Sequence, residues 1–235
     1  TLSNAYLMLA VPLGLIYLQP DLGTMLVFVA IGMGVLLVAG AQLKHIVVTS
    51  LIGVVVVVAM FNSDNLGGPA LLRQTQEQRL TAFLDPGFDL QGASYNINQS
   101  QIAIGAGGLR GQGWLQGTQT NLNLVPEQET DFIFTALGEE FGFVGVSLLL
   151  LLYAYMLARI WFIARASNDL FGAFACVGAL SMLTFQIFQN IGMTMGIMPI
   201  TGIPLPFLSH GGSSTVVAFG LIGLVINVSA RRHLT

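Results

Sequence analysis

The chain has 235 residues, of which 54% are hydrophobic and only 8% are charged, and its net charge is −3. Soluble domains carry about 25% charged residues, so this composition argues against a soluble enzyme, a nucleic-acid-binding protein and a disordered chain. The one cysteine, Cys176, lies in an apolar run, which rules out an intrachain disulfide.

Six apolar segments approach or exceed the roughly 20 residues that a membrane-spanning helix needs. They are residues 5–18, 22–39, 46–61, 132–157, 170–190 and 215–228. Runs such as residues 54–58 do not alternate with period two, which favours helices over barrel strands. The first segment begins near the N-terminus without the pattern of a signal peptide, so we expect the C-terminal part of a longer polypeptide.

The sequence therefore predicts an all-α fold, a polytopic membrane helical bundle of about six transmembrane helices. Three helices lie within residues 1–61 and three within residues 131–235. Between them, residues 62–130 form a long extracellular loop with interfacial helices. A Pro/Gly-rich segment, residues 192–214, is expected to be external and re-entrant or irregular.

Basic residues predict the orientation, because Lys and Arg collect on the cytoplasmic side of a membrane. Those that follow the second, fourth and sixth predicted spans are Lys44, Arg159, Arg165, Arg231 and Arg232. We place all five in connections or the tail on the cytoplasmic side. Residues 19–21, 62–130 and 192–214 then face outward.

The outer loop contains a predicted helix and a glycine-rich stretch. The spacing of Ile97, Gln101, Ile104 and Gly108 predicts a helix lying in the membrane interface, with a mobile loop as the alternative. Residues 105–113 match neither the dinucleotide-binding nor the P-loop pattern, so they predict a tight loop with positive φ angles. Arg110 in this stretch is a candidate phosphate contact.

Polar residues surround the start of the fourth span. Thr130 or Asp131 is placed to cap the helix, and capping is one interpretation of Asp131. In the other, Asp131, Thr135 and small residues share a helix face that lines a water-accessible cavity. Glu139 and Glu140 lie about 12–14 Å farther along the helix, where ionisable groups indicate either function or hydrogen bonds to other helices.

Three prolines interrupt the chain after the fifth span, at positions 199, 204 and 206. An apolar but irregular segment in a membrane protein must be buried in protein or line a cavity. His210 precedes Ser213 and Ser214, but no third group of a serine hydrolase can be identified. No His-Glu-x-x-His zinc pattern occurs.

Several motifs, in this order along the chain, resemble the SEDS family of polytopic peptidoglycan glycosyltransferases. They are QPDLGT at 19–24, FLDP at 83–86, QSQIAIG at 99–105, PE, TDFIF and EE within 126–140, and NIGM, PLP and GGSS within 190–214. The GTQT stretch at 117–120 is more similar to the elongation branch than to the division branch. The family has ten spans, and the six here match the fifth to the tenth. His210 and Gln112 depart from the family pattern, which usually has Tyr and Lys.

The resemblance implies that the protein polymerises lipid II into glycan strands at the outer face of the bacterial cytoplasmic membrane. It also implies an essential external aspartate, which maps onto Asp131. A pyrophosphate leaving group departs without protonation by a carboxylic acid. Inverting transfer therefore requires one general base, which takes the proton of the acceptor hydroxyl. The direction of the Asp131 pKa stays open, because the helix end lowers it while Glu127 and burial raise it.

Further residues are assigned around this base. The substrate-binding candidates are Glu127, Arg79, Arg110, Ser213 and Ser214, and the supporting candidates are Thr135, Glu139 and Asn190. The charge that develops on the leaving group needs cations. Either the arginines supply them or a divalent ion, Mg²⁺ or Mn²⁺, does so with Glu127 as a candidate ligand.

Two other functions remain open. A flippase or transporter of lipid-linked precursors suits Glu139, Glu140 and the broken segment around Pro204 equally well. A scaffold for a partner synthase is the third hypothesis. The resemblance also implies a class B penicillin-binding protein, a transpeptidase bound through its transmembrane helix. Gly138 and Gly142 offer a small-residue face for such a helix, although internal packing explains them as well.

Overall fold

The computed structural model describes residues 2–19, 21–61, 74–84, 92–122 and 124–231. Within these ranges the chain forms nine α-helices and no β-strand, which confirms the predicted all-α fold. The helices are α1 (Leu2–Leu18), α2 (Leu22–Val38), α3 (Leu43–Phe61), α4 (Gln74–Leu84), α5 (Ala93–Gly107), α6 (Thr118–Asn121), α7 (Ile133–Arg165), α8 (Leu170–Thr194) and α9 (Gly212–Arg231). Pro20, the Asp85-Pro86 pair and Arg232, all used above, lie outside the described residues.

Each of the six predicted spans is a helix. By length and composition α7, α8 and α9 can cross a membrane, whereas α1, α2 and the described part of α3 are shorter apolar helices. The end predicted for the fourth span was wrong, because α7 continues to Arg165 and contains Arg159. Arg165 lies in the last turn of α7, where a cation complements the helix dipole.

Large apolar side chains cover the outside of these helices. Phe143 and Leu151 on α7 are 65% and 67% exposed, and Phe219 on α9 is 62% exposed. A soluble fold would bury such side chains, whereas a helix in lipid presents them outward. The chain is therefore an integral membrane protein.

The helix at the centre of the bundle is α8, which packs against α2, α7 and α9. Its buried residues Cys176, Val177 and Leu183 form a core cluster with Ile160 of α7 and Val225 of α9. The C-terminal part of α8 also contacts α5. This central position brings the end of α8 next to the start of α7 and to the irregular segment that follows α8.

The helix predicted in the outer loop from the spacing of Ile97, Gln101, Ile104 and Gly108 is confirmed as α5. Its buried stripe consists of Ser94, Ile97, Ser100, Ala103 and Gly107, whereas Gln101 is exposed. This stripe packs against α7, so α5 is part of the bundle packing. A location in the membrane interface stays a prediction.

The helix α7 is broken at Gly142, where φ is 63° and ψ is −163°. The glycine loop, residues 108–113, lies against the break. Four backbone hydrogen bonds replace those that the helix loses: Phe143 N–H to Gly108 O (2.9 Å), Val144 N–H to Leu109 O (3.1 Å), Gln112 N–H to Glu139 O (2.9 Å) and Gly113 N–H to Glu140 O (3.0 Å). The predicted tight loop is confirmed, because Gly108, Gly111 and Gly113 have positive φ.

Gly138 and Gly142 face the same chain rather than a partner helix. A Cβ on Gly138 would lie 3.1 Å from Ile104 Cγ1, and one on Gly142 would lie 2.9 Å from the backbone of Arg110. The alternative of internal packing is therefore confirmed for this small-residue face.

Candidate functional site

Asp131 lies in a tight turn directly before α7, here called the Asp131 turn (residues 127–132). The Glu127 carbonyl accepts hydrogen bonds from the N–H groups of Thr130, Asp131 and Phe132 at 3.2, 3.0 and 3.2 Å. The helix begins at Ile133 after Phe132, and no side chain caps it. The predicted capping by Thr130 or Asp131 was wrong, because α7 begins at Ile133 with Phe132 in the N-cap position and no side chain accepts the first N–H groups of the helix.

The Asp131 carboxylate is only partly buried, and no donor in the described part of the chain hydrogen-bonds to it. It faces Gly202: a Cβ there would lie 3.3 Å from Asp131 Oδ2 and 3.9 Å from Arg79 Nη1. Burial raises the pKa of Asp131 above its ordinary value, and the charge of Glu127 raises it further, whereas Arg79 partly lowers it. Glu127, Asp131 and Arg79 thus form one electrostatic group.

The wall opposite Asp131 is the irregular segment after α8, here called the proline segment (residues 199–210). Asn190, fully buried near the end of α8, donates from Nδ2 to the carbonyls of Asp131 and Ile203, both at 2.8 Å. It therefore joins the Asp131 turn to the proline segment. The Asn190 Oδ1 atom is buried and has no hydrogen-bond partner among the described residues.

Three cavities lie in a row along the proline segment. The first, about 380 Å³, is lined by Asp21, Arg79 and Thr201. The second, about 250 Å³, shares Asp21 and Thr201 with it and adds Gln186 and Gly202. The third, also about 250 Å³, shares Gln186 and contains Ser213 and Ser214. Arg79 and the two serines, predicted as binding residues, thus line opposite ends of one row.

A larger cavity, about 540 Å³, lies at the other end of the bundle between the α7–α8 connection and Arg231. Its one acidic residue, Asp169, caps α8 by accepting from the N–H groups of Phe171 and Gly172 at 3.2 Å. We place the candidate site at the smaller cavities, because they adjoin the Asp131 group.

Asp21 in the QPDLGT motif has a structural contact that explains part of the motif. Its carboxylate accepts from Thr24 N–H at 3.0 Å and from Thr24 Oγ1 at 2.5 Å, so it caps α2. Gly23 lets α2 approach the proline segment closely, since a Cβ there would lie 2.7 Å from the Thr201 carbonyl oxygen. The motif therefore builds a wall shared by the first two cavities.

Arg110 is not brought to the Asp131 group. Its backbone packs against Gly142, nine residues beyond Ile133, which corresponds to roughly 13 Å of helix rise. Among the predicted cations, Arg79 is the one that acts on Asp131. Phosphate contact by Arg110 stays a prediction.

Glu139 is fully buried in α7 and anchors α6. Its carboxylate accepts from Thr118 Oγ1 at 3.2 Å, from Gln119 N–H at 2.7 Å, and from Thr120 N–H and Oγ1 at 2.9 and 2.6 Å. Hydrogen bonds to an ionised group are roughly twice as strong as neutral ones. Of the two alternatives for Glu139, these contacts favour the structural one.

Thr135 also supports the packing. Its Oγ1 lies 2.5 Å from Ser100 Oγ, which donates to the Thr194 carbonyl at 2.8 Å. Since Ser100 gives its proton to Thr194, Thr135 is the donor to Ser100. One chain of hydroxyl groups thus connects α7, α5 and α8 next to the Asp131 turn.

Sequence reasoning missed Ser209, whose buried hydroxyl donates to the Thr130 carbonyl at 2.5 Å. A signal was present, because buried irregular backbone needs hydrogen-bond partners and a serine among prolines can supply one. Sequence alone could not identify the carbonyl that it meets, 79 residues away.

The residues around Asp131 offer few metal ligands. Within the described ranges no group of three or more His, Cys, Asp and Glu side chains is arranged to hold a metal ion. Glu127 and Asp131 provide two carboxylates, and Mg²⁺ usually binds through one or two carboxylates plus substrate phosphates. A divalent ion with Glu127 as ligand stays a prediction.

Comparisons with known proteins identify relatives that agree with one another. The profile of the FtsW/RodA/SpoVE cell cycle protein family matches residues 1–234. The peptidoglycan glycosyltransferase MrdB of Escherichia coli K12 is 42% identical over 231 residues, which cover 98% of this chain and 60% of that protein. The peptidoglycan glycosyltransferase RodA of Treponema pallidum is 45% identical over 168 residues, 72% of this chain and 39% of that protein.

Solved structures agree with these sequence relatives. A chain from a peptidoglycan synthase complex superposes with a TM-score of 0.79 at 33% identity, covering 98% of this chain and 62% of that chain. The rod shape determining protein RodA of Thermus thermophilus superposes with a TM-score of 0.63 at 30% identity, covering 98% and 56%. This chain spans about 60% of the length of MrdB. Because the family profile matches nearly every residue, the resemblance is confirmed: the chain belongs to the FtsW/RodA/SpoVE family of cell cycle proteins.

Proposed function

We propose that the full-length protein is a peptidoglycan glycosyltransferase that polymerises lipid II into glycan strands, with Asp131 as the general base. The observation that carries the proposal is the Asp131 carboxylate, which is partly buried, has a raised pKa and accepts no hydrogen bond from the described residues. A carboxylate in a capping or structural role would accept hydrogen bonds from neighbouring groups of the protein. The names of MrdB and RodA, both peptidoglycan glycosyltransferases, support the same activity.

The proposed step is one inverting displacement. The hydroxyl oxygen of the acceptor sugar forms a bond to the anomeric carbon of the donor while the bond from that carbon to the pyrophosphate breaks. The hydroxyl proton passes to the Asp131 carboxylate. A positioned base of this kind contributes about 10²–10⁴-fold to a rate, and a raised pKa makes the carboxylate a stronger base.

Arg79 is the proposed electrostatic partner for the leaving group. Its guanidinium shares the space at Gly202 with Asp131 and lines the 380 Å³ cavity. A fixed cation there would stabilise the negative charge that develops on pyrophosphate. Glu127, Ser213 and Ser214 remain proposed substrate contacts, and a divalent ion, Mg²⁺ or Mn²⁺, would add positive charge when bound.

We place the Asp131 turn at the outer face of the bacterial cytoplasmic membrane. Lys44, Arg165 and Arg231 support this orientation, because α3 starts, and α7 and α9 end, away from Asp131. These basic helix ends match the positive-inside rule. The elongation role is supported by the GTQT stretch at residues 117–120 and by the structural similarity to the rod shape determining protein RodA of Thermus thermophilus.

The proposed partner is a class B penicillin-binding protein that binds through its transmembrane helix. Support comes from the similarity to a chain of a peptidoglycan synthase complex, whose description couples polymerisation with crosslinking. The Gly138–Gly142 face is covered by the chain itself, so we expect the partner to bind exposed apolar side chains of other helices.

The transport alternative is weaker, because Glu139 binds α6 instead of facing a path for substrate.

Purified full-length protein should form long glycan strands from labelled lipid II, measured by gel separation of the strands. The same preparation in vesicles should not speed the movement of lipid II between leaflets, measured by accessibility of a headgroup label. Rapid movement without strand formation would replace the glycosyltransferase with a transporter.

Neutralising the charged neighbours of Asp131 should shift the acidic limb of the pH profile in opposite directions. Polymerisation requires ionised Asp131, so activity falls as the pH drops through the pKa of this group. Glu127 raises that pKa and Arg79 lowers it. We therefore expect Glu127→Gln to move the limb of kcat/KM to lower pH and Arg79→Gln to move it to higher pH.

The matched control for this pair is Glu129→Gln, which removes an exposed carboxylate from the same turn. It should move the limb less than Glu127→Gln does. The measurement is kcat/KM of lipid II polymerisation by the full-length variants from acidic to neutral pH. A shift of both test variants in the same direction would contradict the electrostatic group.

A further inference from the structure

Three hydrogen bonds on consecutive carbonyl groups join the Asp131 turn to its surroundings. They run from His210 N–H to Glu129 O (2.8 Å), from Ser209 Oγ to Thr130 O (2.5 Å) and from Asn190 Nδ2 to Asp131 O (2.8 Å). Two of the three donors belong to the proline segment. Because α7 begins only at Ile133, these bonds fix backbone that the helix does not hold.

Like the Asn190 side chain, the Ser209 hydroxyl bonds to both segments, but Ser209 itself belongs to the proline segment. Its Oγ donates to the Thr130 carbonyl and accepts from the Leu205 N–H at 2.7 Å. The Ser209 N–H donates to the Leu205 carbonyl at 3.0 Å, which closes a turn of the proline segment. Only 6% of Ser209 is exposed. This enclosed hydroxyl is thus one of the contacts that fix the distance between this turn and the Asp131 turn.

That distance matters because the proline segment also forms the wall that the Asp131 carboxylate faces. Gly202 lies opposite Asp131 Oδ2, and the row of cavities follows the same segment. If the Asp131 turn moved relative to the segment, the carboxylate would move relative to Arg79 and to any substrate in the cavities. A displacement of about 1 Å at a reacting group can lower a rate roughly 10²-fold.

We propose that Ser209 is a positioning residue for the glycosyltransferase reaction, holding Asp131 at a fixed place against the proline segment without touching substrate. The inference rests on the proposed function and deepens it. Among the described residues, the hydroxyl hydrogen-bonds only to backbone groups of Thr130 and Leu205. Its role is therefore to hold the base in place, while Asp131 itself takes the proton.

The test compares full-length variants in lipid II polymerisation, with the rate normalised to folded protein. Ser209→Ala should lower kcat about 10–100-fold and leave KM within about twofold, since the hydroxyl contacts no substrate. Ser209→Thr keeps a hydroxyl and should recover most of kcat. If Ser209→Ala does not yield folded protein, Ser209→Cys takes its place, because a thiol has similar volume and forms weaker hydrogen bonds.

The matched control is Ser50→Ala, which removes a serine hydroxyl whose hydrogen bond within the described part of the chain is to the Ile46 carbonyl of α3. It should leave kcat and KM unchanged. A normal kcat in Ser209→Ala, a rise in KM as large as the fall in kcat, or no recovery with Ser209→Thr would each overturn the proposal. If Asp131→Asn is inactive while Ser209→Ala is normal, only this inference fails. If Asp131→Asn is fully active, the proposed function fails instead.

Discussion

Asp131→Asn is expected to lower the rate of lipid II polymerisation by the full-length protein about 10²–10⁴-fold without unfolding it. The amide keeps the shape of the side chain but cannot take the proton of the acceptor hydroxyl. The hydrogen bonds of the Asp131 turn use backbone groups, so the substitution leaves them in place. Strand formation from labelled lipid II and the melting temperature of each variant are the two measurements.

The melting temperature of Asp131→Asn should equal or exceed that of the wild type at neutral pH. The pKa of Asp131 is higher in the folded chain than its ordinary value, mainly because of burial. Ionisation is therefore easier in the unfolded chain, and this group reduces stability as the pH rises through that range. An amide removes the effect, so loss of activity and a small gain in stability should occur together.

Asp169→Asn is the matched control, because it changes the same residue type at the far end of the bundle. Asp169 caps α8, and asparagine is nearly as good a cap as aspartate. This variant should polymerise lipid II at close to the wild-type rate. Polymerisation by Asp131→Asn at the wild-type rate would show that another group takes the proton.

The sequence predicted the helices because long apolar runs without Gly/Pro clusters leave few alternatives in a membrane protein. It did not predict that α7 extends to Arg165, since arginine in a last helical turn looks the same as arginine in a connection. The break at Gly142 was also invisible. It depends on hydrogen bonds from the glycine loop, about 30 residues earlier in the chain, and no local pattern reports such pairing.

The candidate site was predictable where one residue combines polar chemistry with a position at a helix start, as Asp131 does. The choice between capping and chemistry was not predictable. It depends on where α7 begins, since Phe132 and not Asp131 occupies the N-cap position. Glu139 shows the same limit of sequence analysis. A buried acidic side chain is compatible with either a functional or a structural role until its hydrogen-bond donors are known, and here they are Thr118, Gln119 and Thr120.

Gly107→Ala is the second substitution for which we expect a large effect, here a loss of stability, because it disrupts the contact between α5 and α7. A Cβ on Gly107 would overlap the Gly138 carbonyl oxygen and lie 2.9 Å from its carbon and 3.0 Å from Glu139 Cα. These are backbone atoms of α7, so no side-chain rotation relieves the overlap. We expect a loss of about 3 kcal/mol in the free energy of unfolding, the upper range for overpacking, measured by denaturant titration in detergent.

Gly105→Ala provides a control in the same helix with the opposite sign. Gly105 is exposed, and among the described residues no atom beyond its chain neighbours and its own helix backbone lies within 4 Å of its Cβ position. Alanine there should stabilise the protein by about 0.5–1 kcal/mol, because glycine loses more backbone entropy on helix formation. Both substitutions change helix propensity by the same amount, and they lie two residues apart in one helix. The difference between their effects on stability therefore reports the packing of α5 against α7. If both variants gained stability, α5 would not approach α7 as closely as described, and the hydrogen bonds across Gly142 would lose the contact that positions them.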